Sequence, residues 1–303
     1  MTATKKMWSL ATLSLITLLL CASQLWAGAW TQPQGKLYTR LAYSEYEAQR
    51  FFNEHGTSHD YSPGDAAKKR DFDYDEQTWS FYAEYGLLDN LTLIGSFDYK
   101  ELEWTFQSIT LQPSGMYISD KNTKSSGLAD INFGLRFRLL ATESGALSIQ
   151  ALYKSAEAYD EKDLDPLEIQ LGDAQDDFEL RLQFGQSLYP LFPGYCNIEA
   201  GYRWRSEYMA DEFVYLLEVG ADITKSLYVR TKLDGTANVG NGNDPAVTLV
   251  DANPNEIDLG KLELTVGYKI ISMLAVEASY FNELYGANTT KGDTWSLALA
   301  ATF

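Results

Sequence analysis

Charged side chains recur at every second position in several segments of this chain, and this spacing places them on one face of a β-strand. Arg136 and Arg138 are spaced in this way, as are Glu179 and Arg181. Interleaved acids and bases can select polar solutes along a pathway, or they can neutralise one another in ion pairs. The candidate set comprises Arg40, Arg136, Arg138, Glu179, Arg181, Glu199, Arg203, Arg205, Arg230 and Lys232.

The opposite face of the same segments is apolar. In the segment 128–140, Phe133 and Leu135 alternate with Asn132 and Arg136. About twelve segments of roughly ten residues alternate like this, the length with which a tilted strand crosses a bilayer. A helix is excluded because the charges recur with a period of two rather than 3.6. A soluble sandwich also alternates, so a second criterion is needed.

The lengths of the connections supply that criterion. Short links alternate with long polar links, as in outer-membrane barrels, where short turns face the periplasm and longer loops face outward. An even number of strands places both termini on the periplasmic side. The sequence therefore predicts an all-β fold, a transmembrane antiparallel up-and-down β-barrel of about 12 strands formed by residues 28–303. The long extracellular loops are predicted at 53–71, 105–127, 156–176 and 236–260.

Both ends of the sequence agree with export to an outer membrane. The segment Trp295–Phe303 alternates and ends on an aromatic residue, which is typical of a closing barrel strand. At the other end, basic residues precede an apolar stretch and a small-residue cleavage pattern, in the order of a secretory signal peptide. Residues 1–27 are therefore predicted to be removed after Ala27, with Ala29 as the second possible site.

The cost of burying charge decides which face points outward. An Arg or Lys in contact with lipid near the bilayer midplane costs about 2–4 kcal/mol, so the charged face is predicted to line the lumen. Outer-membrane lipid and lipopolysaccharide are then the expected partners of the apolar face, around a monomer. A formal net charge of −18 argues against nucleic acid as a partner.

Two functions remain open for such a barrel. The first is a narrow channel or binding site for small solutes, selected by the luminal charges. The alternative is a closed structural or surface-interaction barrel, related to adhesion or polysaccharide, whose loops carry the function. An enzyme is not expected, because a barrel hydrolase needs a strand-borne histidine beside a serine. The only histidines, His55 and His59, fall in the first long loop. No catalytic residues and no cofactor are therefore predicted.

The sequence predicts neither a metal site nor a phosphate site. The third loop carries Asp160–Asp165 and Asp173–Asp177, oxygen ligands that could hold calcium, and His55 and His59 lie near other acids. A solvated loop explains both patterns better, so no metal is predicted. The glycines of Val239–Asp244 do not open a helix and are not a phosphate loop.

Several stretches together resemble the outer-membrane barrels of the "MetA-pathway of phenol degradation" family. The resemblance covers roughly residues 120–303 and rests on glycine turns and alternating strands. It implies a barrel and the uptake of small aromatic or other hydrophobic compounds, and it transfers no binding residue. The stretches that carry it are 126–138, 171–179, 194–203, 232–235, 239–242 and 258–264.

Overall fold

A computed structural model describes residues 28–60, 69–112, 115–158, 169, 171–173, 175–243 and 255–303. The predicted signal peptide, residues 1–27, lies outside the described residues, as do parts of all four predicted loops. The described ranges contain no helix that is long and apolar enough to cross a membrane.

The described residues form thirteen β-strands in one antiparallel sheet. Strand β2 is a short segment paired with the end of β1, and the other strands form the wall of the barrel. In chain order the strands are β1 Leu37–Phe52, β2 Ser58–Asp60, β3 Lys69–Leu88, β4 Leu91–Gln112, β5 Gly115–Ala141, β6 Gly145–Ser155, β7 Asp177–Ser187, β8 Gly194–Arg205, β9 Glu212–Asp222, β10 Leu227–Asn238, β11 Asp258–Ile271, β12 Leu274–Ala287 and β13 Thr289–Thr302.

The sheet closes because β13 pairs with β1 along its length, from Tyr38 opposite Thr302 to Phe52 opposite Thr289. The prediction of a closed antiparallel barrel with twelve wall strands is therefore confirmed. Leu37 and Phe303 exchange backbone hydrogen bonds at the end that carries the short links between strands. We call this end the turn end and the opposite end the loop end.

The side chains are arranged inside out relative to a soluble protein. Large apolar residues such as Phe133, Leu182 and Leu297 are exposed on the outer face. Carboxylates and amides such as Glu179 and Asn197 are buried inside. Aromatic pairs lie on the outer face as well, including Tyr43 with Trp79 and Tyr280 with Trp295. Such a surface suits a hydrocarbon solvent, because exposing apolar atoms to lipid carries no penalty in free energy.

The structure differs from the sequence prediction over residues 105–127. These residues were expected to form a long loop, but β4 and β5 continue through them as a hairpin, paired from Lys100 opposite Gly127 to Gln112 opposite Gly115. Pairing the two strands satisfies their backbone groups beyond the length that crosses a bilayer. Thr105, Ile109 and other β-branched or aromatic residues favour strands in this stretch.

Candidate functional site: the charged lumen

The predicted candidate residues lie on the inward faces of their strands, and the barrel brings most of them together. The registers explain the grouping, since Glu179 of β7 lies opposite Arg203 of β8. Gly201 lies opposite Arg181 and leaves room for its side chain, because a Cβ there would approach Arg181 Cγ to 2.7 Å.

A first charge cluster extends over β6–β9. Arg203 lies 2.8 Å from Glu179 through Nη2 and 2.6 Å from Glu212 through Nη1. Arg181 pairs with Glu179 and lies 3.3 Å from Glu199. Each arginine therefore bridges two carboxylates, which neutralises charges that the lumen shields from bulk water.

The loop end of this cluster includes residues of the connection between β6 and β7. Lys154 Nζ lies 2.5 Å from Asp173 and 2.9 Å from Asp177. Arg205 pairs with both aspartates and lies 3.2 Å from Glu212. Burial opposes ionisation of Asp173, but the charges of Lys154 and Arg205 outweigh it and lower the pKa of this carboxyl below its usual range. Asp173 and Asp177 are thus paired with the side chains of Lys154 and Arg205, which argues against calcium binding by these two aspartates.

A second charge cluster joins β1 with β9–β12. Arg230 lies between three carboxylates, at 3.2 Å from Glu263, 3.6 Å from Glu277 and 3.8 Å from Glu218. Arg40 lies 2.9 Å from Glu277 and Lys232 lies 2.6 Å from Glu263. The hydroxyl groups of Tyr228 and Tyr195 donate to Glu277 and Glu218, respectively.

Arg136 and Arg138 are neighbours in sequence but have different surroundings. Arg136 is buried, lies 3.0 Å from Glu84 and donates two hydrogen bonds to Gln150. Arg138 lies nearer the turn end and makes no ion pair within the described part of the chain. Sequence reasoning missed Glu84, because the residues two positions away on β3, Tyr82 and Gly86, are uncharged.

Both clusters contain pairs in which the cation lies closer to the water of the lumen than its carboxylate partner does, although the order is reversed at the loop end, where Arg205 is 6% exposed and Asp173 is 26% exposed. The side chain of Arg203 is 26% exposed, whereas that of Glu179 is 5% exposed. The same contrast holds for Lys232 at 24% against Glu263 at 2%. Where the carboxylates lie behind the cations, as in these pairs, the surface that a solute meets is more positive than the pairing of opposite charges suggests. Composition alone could not reveal this, because the signal is the depth of each group.

Aromatic side chains also face the interior. Tyr38 packs against Tyr82 with ring centroids 6.3 Å apart, and Tyr46 packs against Tyr74 at 5.9 Å. These rings lie on strands β1 and β3, away from the first charge cluster. The lumen therefore combines positive groups with aromatic surfaces, which together can contact a planar organic anion.

The other sequence candidates do not assemble into a site. His55 and His59 lie on the exposed connection around β2, where His55 Nε2 is 3.4 Å from Glu54. The described ranges contain no group of three or more His, Cys, Asp or Glu side chains that could hold a metal ion. Asp160–Asp165 lies outside the described residues.

Structural comparisons place the fold among outer-membrane barrels. The COG4313 outer membrane channel from Pseudomonas putida F1 superposes with a TM-score of 0.64 at 13% identity, over 91% of this chain and 98% of that chain. The NanC porin superposes with a TM-score of 0.51 at 5% identity, over 86% and 98%. No protein-family model matches the sequence, and no curated protein matches it either.

Proposed function

We propose that the chain is a narrow channel of the bacterial outer membrane that admits small organic anions. The position in the membrane is supported by the closed barrel, the exposed apolar outer face and the fold shared with outer-membrane channels. We place the turn end and both termini in the periplasm, because outer-membrane barrels carry their short turns there.

The observation that carries the anion preference is the depth of the luminal charges. Arg40, Arg203 and Lys232 present their cationic groups to the lumen, and each has a glutamate partner buried behind it, namely Glu277, Glu179 and Glu263. An anion entering the lumen meets hydrogen-bond donors first, whereas a cation must approach carboxylates that are already occupied. Inward tyrosines add surfaces for an aromatic ring, which agrees with the aromatic compounds that the family resemblance implies.

The proposal includes a monomer surrounded by lipid and lipopolysaccharide. The closed wall has no unpaired edge strand that would recruit a second copy. The apolar outer face, which includes Phe133, Leu264 and Leu297, requires hydrocarbon as its solvent.

The test is single-channel recording of the refolded mature protein in a planar bilayer under a KCl gradient. We expect steady openings with a reversal potential shifted towards the equilibrium potential of chloride. Benzoate should block the current more strongly than benzyl alcohol, its neutral counterpart. Cation selectivity would refute the anion preference. A correctly folded barrel that never opens would refute the channel and favour the closed structural or surface-interaction barrel.

A further inference from the structure

We propose that residues 28–34, the plug segment, close part of the lumen at the turn end and set the size of solute that passes. The consequence for passage rests on the proposed channel function. The position of the segment does not, because it stands on contacts of its own.

The plug segment precedes β1 and runs along the inside of the wall, past half of the strands of the barrel. Gly35 N donates to Gly86 O on β3, and Ala29 N donates to Asn197 Oδ1 on β8. Between these two points the segment contacts every intervening strand in order. Its contacts are Glu84 and Gly86 on β3, Thr92 on β4, Arg136 on β5, Ser148 on β6, Gly185 on β7 and Asn197 on β8.

Side chains of the barrel wall satisfy the backbone of the segment. Gln32 N donates to Thr92 Oγ1 over 2.8 Å, and its side chain donates to Glu84 Oε2 over 2.8 Å. Ser148 Oγ donates to the carbonyl of Ala29. Ala29, Thr31 and Gln32 are almost completely buried. The backbone groups of an irregular segment could not be buried without such partners, so the wall is built to receive this backbone.

Glycines make room for the segment at two points of the wall. A Cβ at position 185 would lie 2.5 Å from Cζ3 of Trp30, and one at position 86 would lie 2.0 Å from the carbonyl oxygen of Pro33. Trp30 also packs edge-on against Tyr195, with ring centroids 6.1 Å apart. The fit therefore depends on steric complementarity as well as on hydrogen bonds.

The position of the segment also bears on its processing. Cleavage after Ala27 leaves the whole plug segment in place, with Gly28 against the side chain of Asn197. Cleavage after Ala29 would remove the hydrogen bonds that Asn197 and Ser148 make to Ala29. Only the first site therefore keeps the hydrogen bonds that join the plug segment to Asn197 and Ser148.

The first experiment removes residues 28–33 by joining Ala27 to Gln34 in the gene. The single-channel conductance of the resulting mature protein is compared with that of the mature protein that keeps these residues. We expect the conductance to rise by roughly twofold or more, because current through a pore grows with its narrowest cross-section. A folded variant with unchanged conductance would overturn the proposal. Folding is checked by the heat-dependent change in electrophoretic mobility that closed barrels show.

A second readout is independent of conduction. Ser148→Cys is introduced into a Cys196→Ser background, and its reaction with a water-soluble thiol reagent is followed. We expect labelling about tenfold slower with the plug segment than without it, since covered groups react only through local opening. Ser279→Cys, buried on β12 away from the segment, is the matched control and should not change. Equal labelling of Ser148→Cys in both proteins would overturn the plug even if neither protein conducts. Differential labelling without current would instead retain the plug and refute the channel.

Discussion

Arg136 donates a hydrogen bond to the backbone carbonyl of Trp30 over 3.0 Å, although the two residues are 106 positions apart in the chain. The same guanidinium lies 3.0 Å from Glu84, which in turn accepts a hydrogen bond from Gln32. One buried side chain thus neutralises a carboxylate of the wall and holds the plug segment. Stability and closure of the turn end therefore depend on a common residue.

The first prediction concerns that residue. Arg136→Ala should lower the free energy of unfolding by about 3–5 kcal/mol, because it leaves Glu84 buried without its cation. Arg138→Ala is the matched control, since Arg138 has no ion pair among the described residues, and it should change stability by less than about 0.5 kcal/mol. Urea unfolding in lipid vesicles, followed by tryptophan fluorescence, measures both. Similar losses in the two variants would contradict the assignment of Arg136.

The second prediction concerns ion selectivity. Arg203→Gln removes a half-buried cation of the lumen and leaves Glu179 and Glu212 with fewer partners. The reversal potential in a KCl gradient should therefore shift towards that of potassium. Lys225→Gln removes the same charge from an exposed turn outside the lumen and should leave the reversal potential unchanged. An equal shift in both variants would mean that the net charge of the protein, rather than the lumen, sets selectivity.

The third prediction tests the outer face. Leu297 lies on β13 with its side chain exposed, and Leu297→Arg should destabilise the folded barrel in a bilayer by about 2–4 kcal/mol. Leu191 is even more exposed, but it lies in the turn between β7 and β8, so Leu191→Arg should cost about 0–1 kcal/mol. Unfolding from vesicles into urea measures the difference. Equal costs would show that Leu297 does not face lipid.

The fold could be predicted from sequence because its signal is local. Alternation between Phe133 or Leu135 and Arg136 decides which side of a strand faces lipid, and the short links decide how strands pair. The same reasoning failed at residues 105–127, where polar residues suggested a loop. Strand pairing does not require an apolar face once the hairpin extends beyond the bilayer, so β-branched residues such as Ile109 were the better guide.

The lumen could be predicted only in part. Alternation identified Arg203 and Lys232 as inward residues, but it carries no information on how deeply each charge lies. The plug segment was missed for a different reason. Its residues have no periodic pattern, and its partners, from Glu84 to Asn197, are distant in sequence. Only closure of the barrel brings them within hydrogen-bond distance.

The fourth prediction concerns acid stability at the loop end. The pKa of Asp173 is lower in the folded protein than in the unfolded chain, where it is about 3.9. Its ion pairs therefore contribute stability above that value and lose it as the pH falls towards the folded-state pKa. Asp173→Asn should reduce stability at pH 6 and make less difference at pH 3. Urea midpoints at the two pH values measure this, and a loss that is independent of pH would contradict the ionic role.

The last prediction separates steric fit from backbone strain in the plug segment. Gly35 has a positive φ of 78°, so replacing it by alanine costs about 1–2 kcal/mol of local strain, whereas Gly28 is the first residue after the predicted cleavage site and has no preceding peptide group to strain. Only at Gly28 does the new Cβ meet a neighbour, since it would lie 1.9 Å from Nδ2 of Asn197, whereas the space at Gly35 is open. Gly28→Ala should therefore release the tip of the segment, raise the conductance and speed labelling of Ser148→Cys more than Gly35→Ala does. If the two variants behave alike, backbone strain near Gly35, rather than contact with Asn197, determines whether the plug segment stays in place.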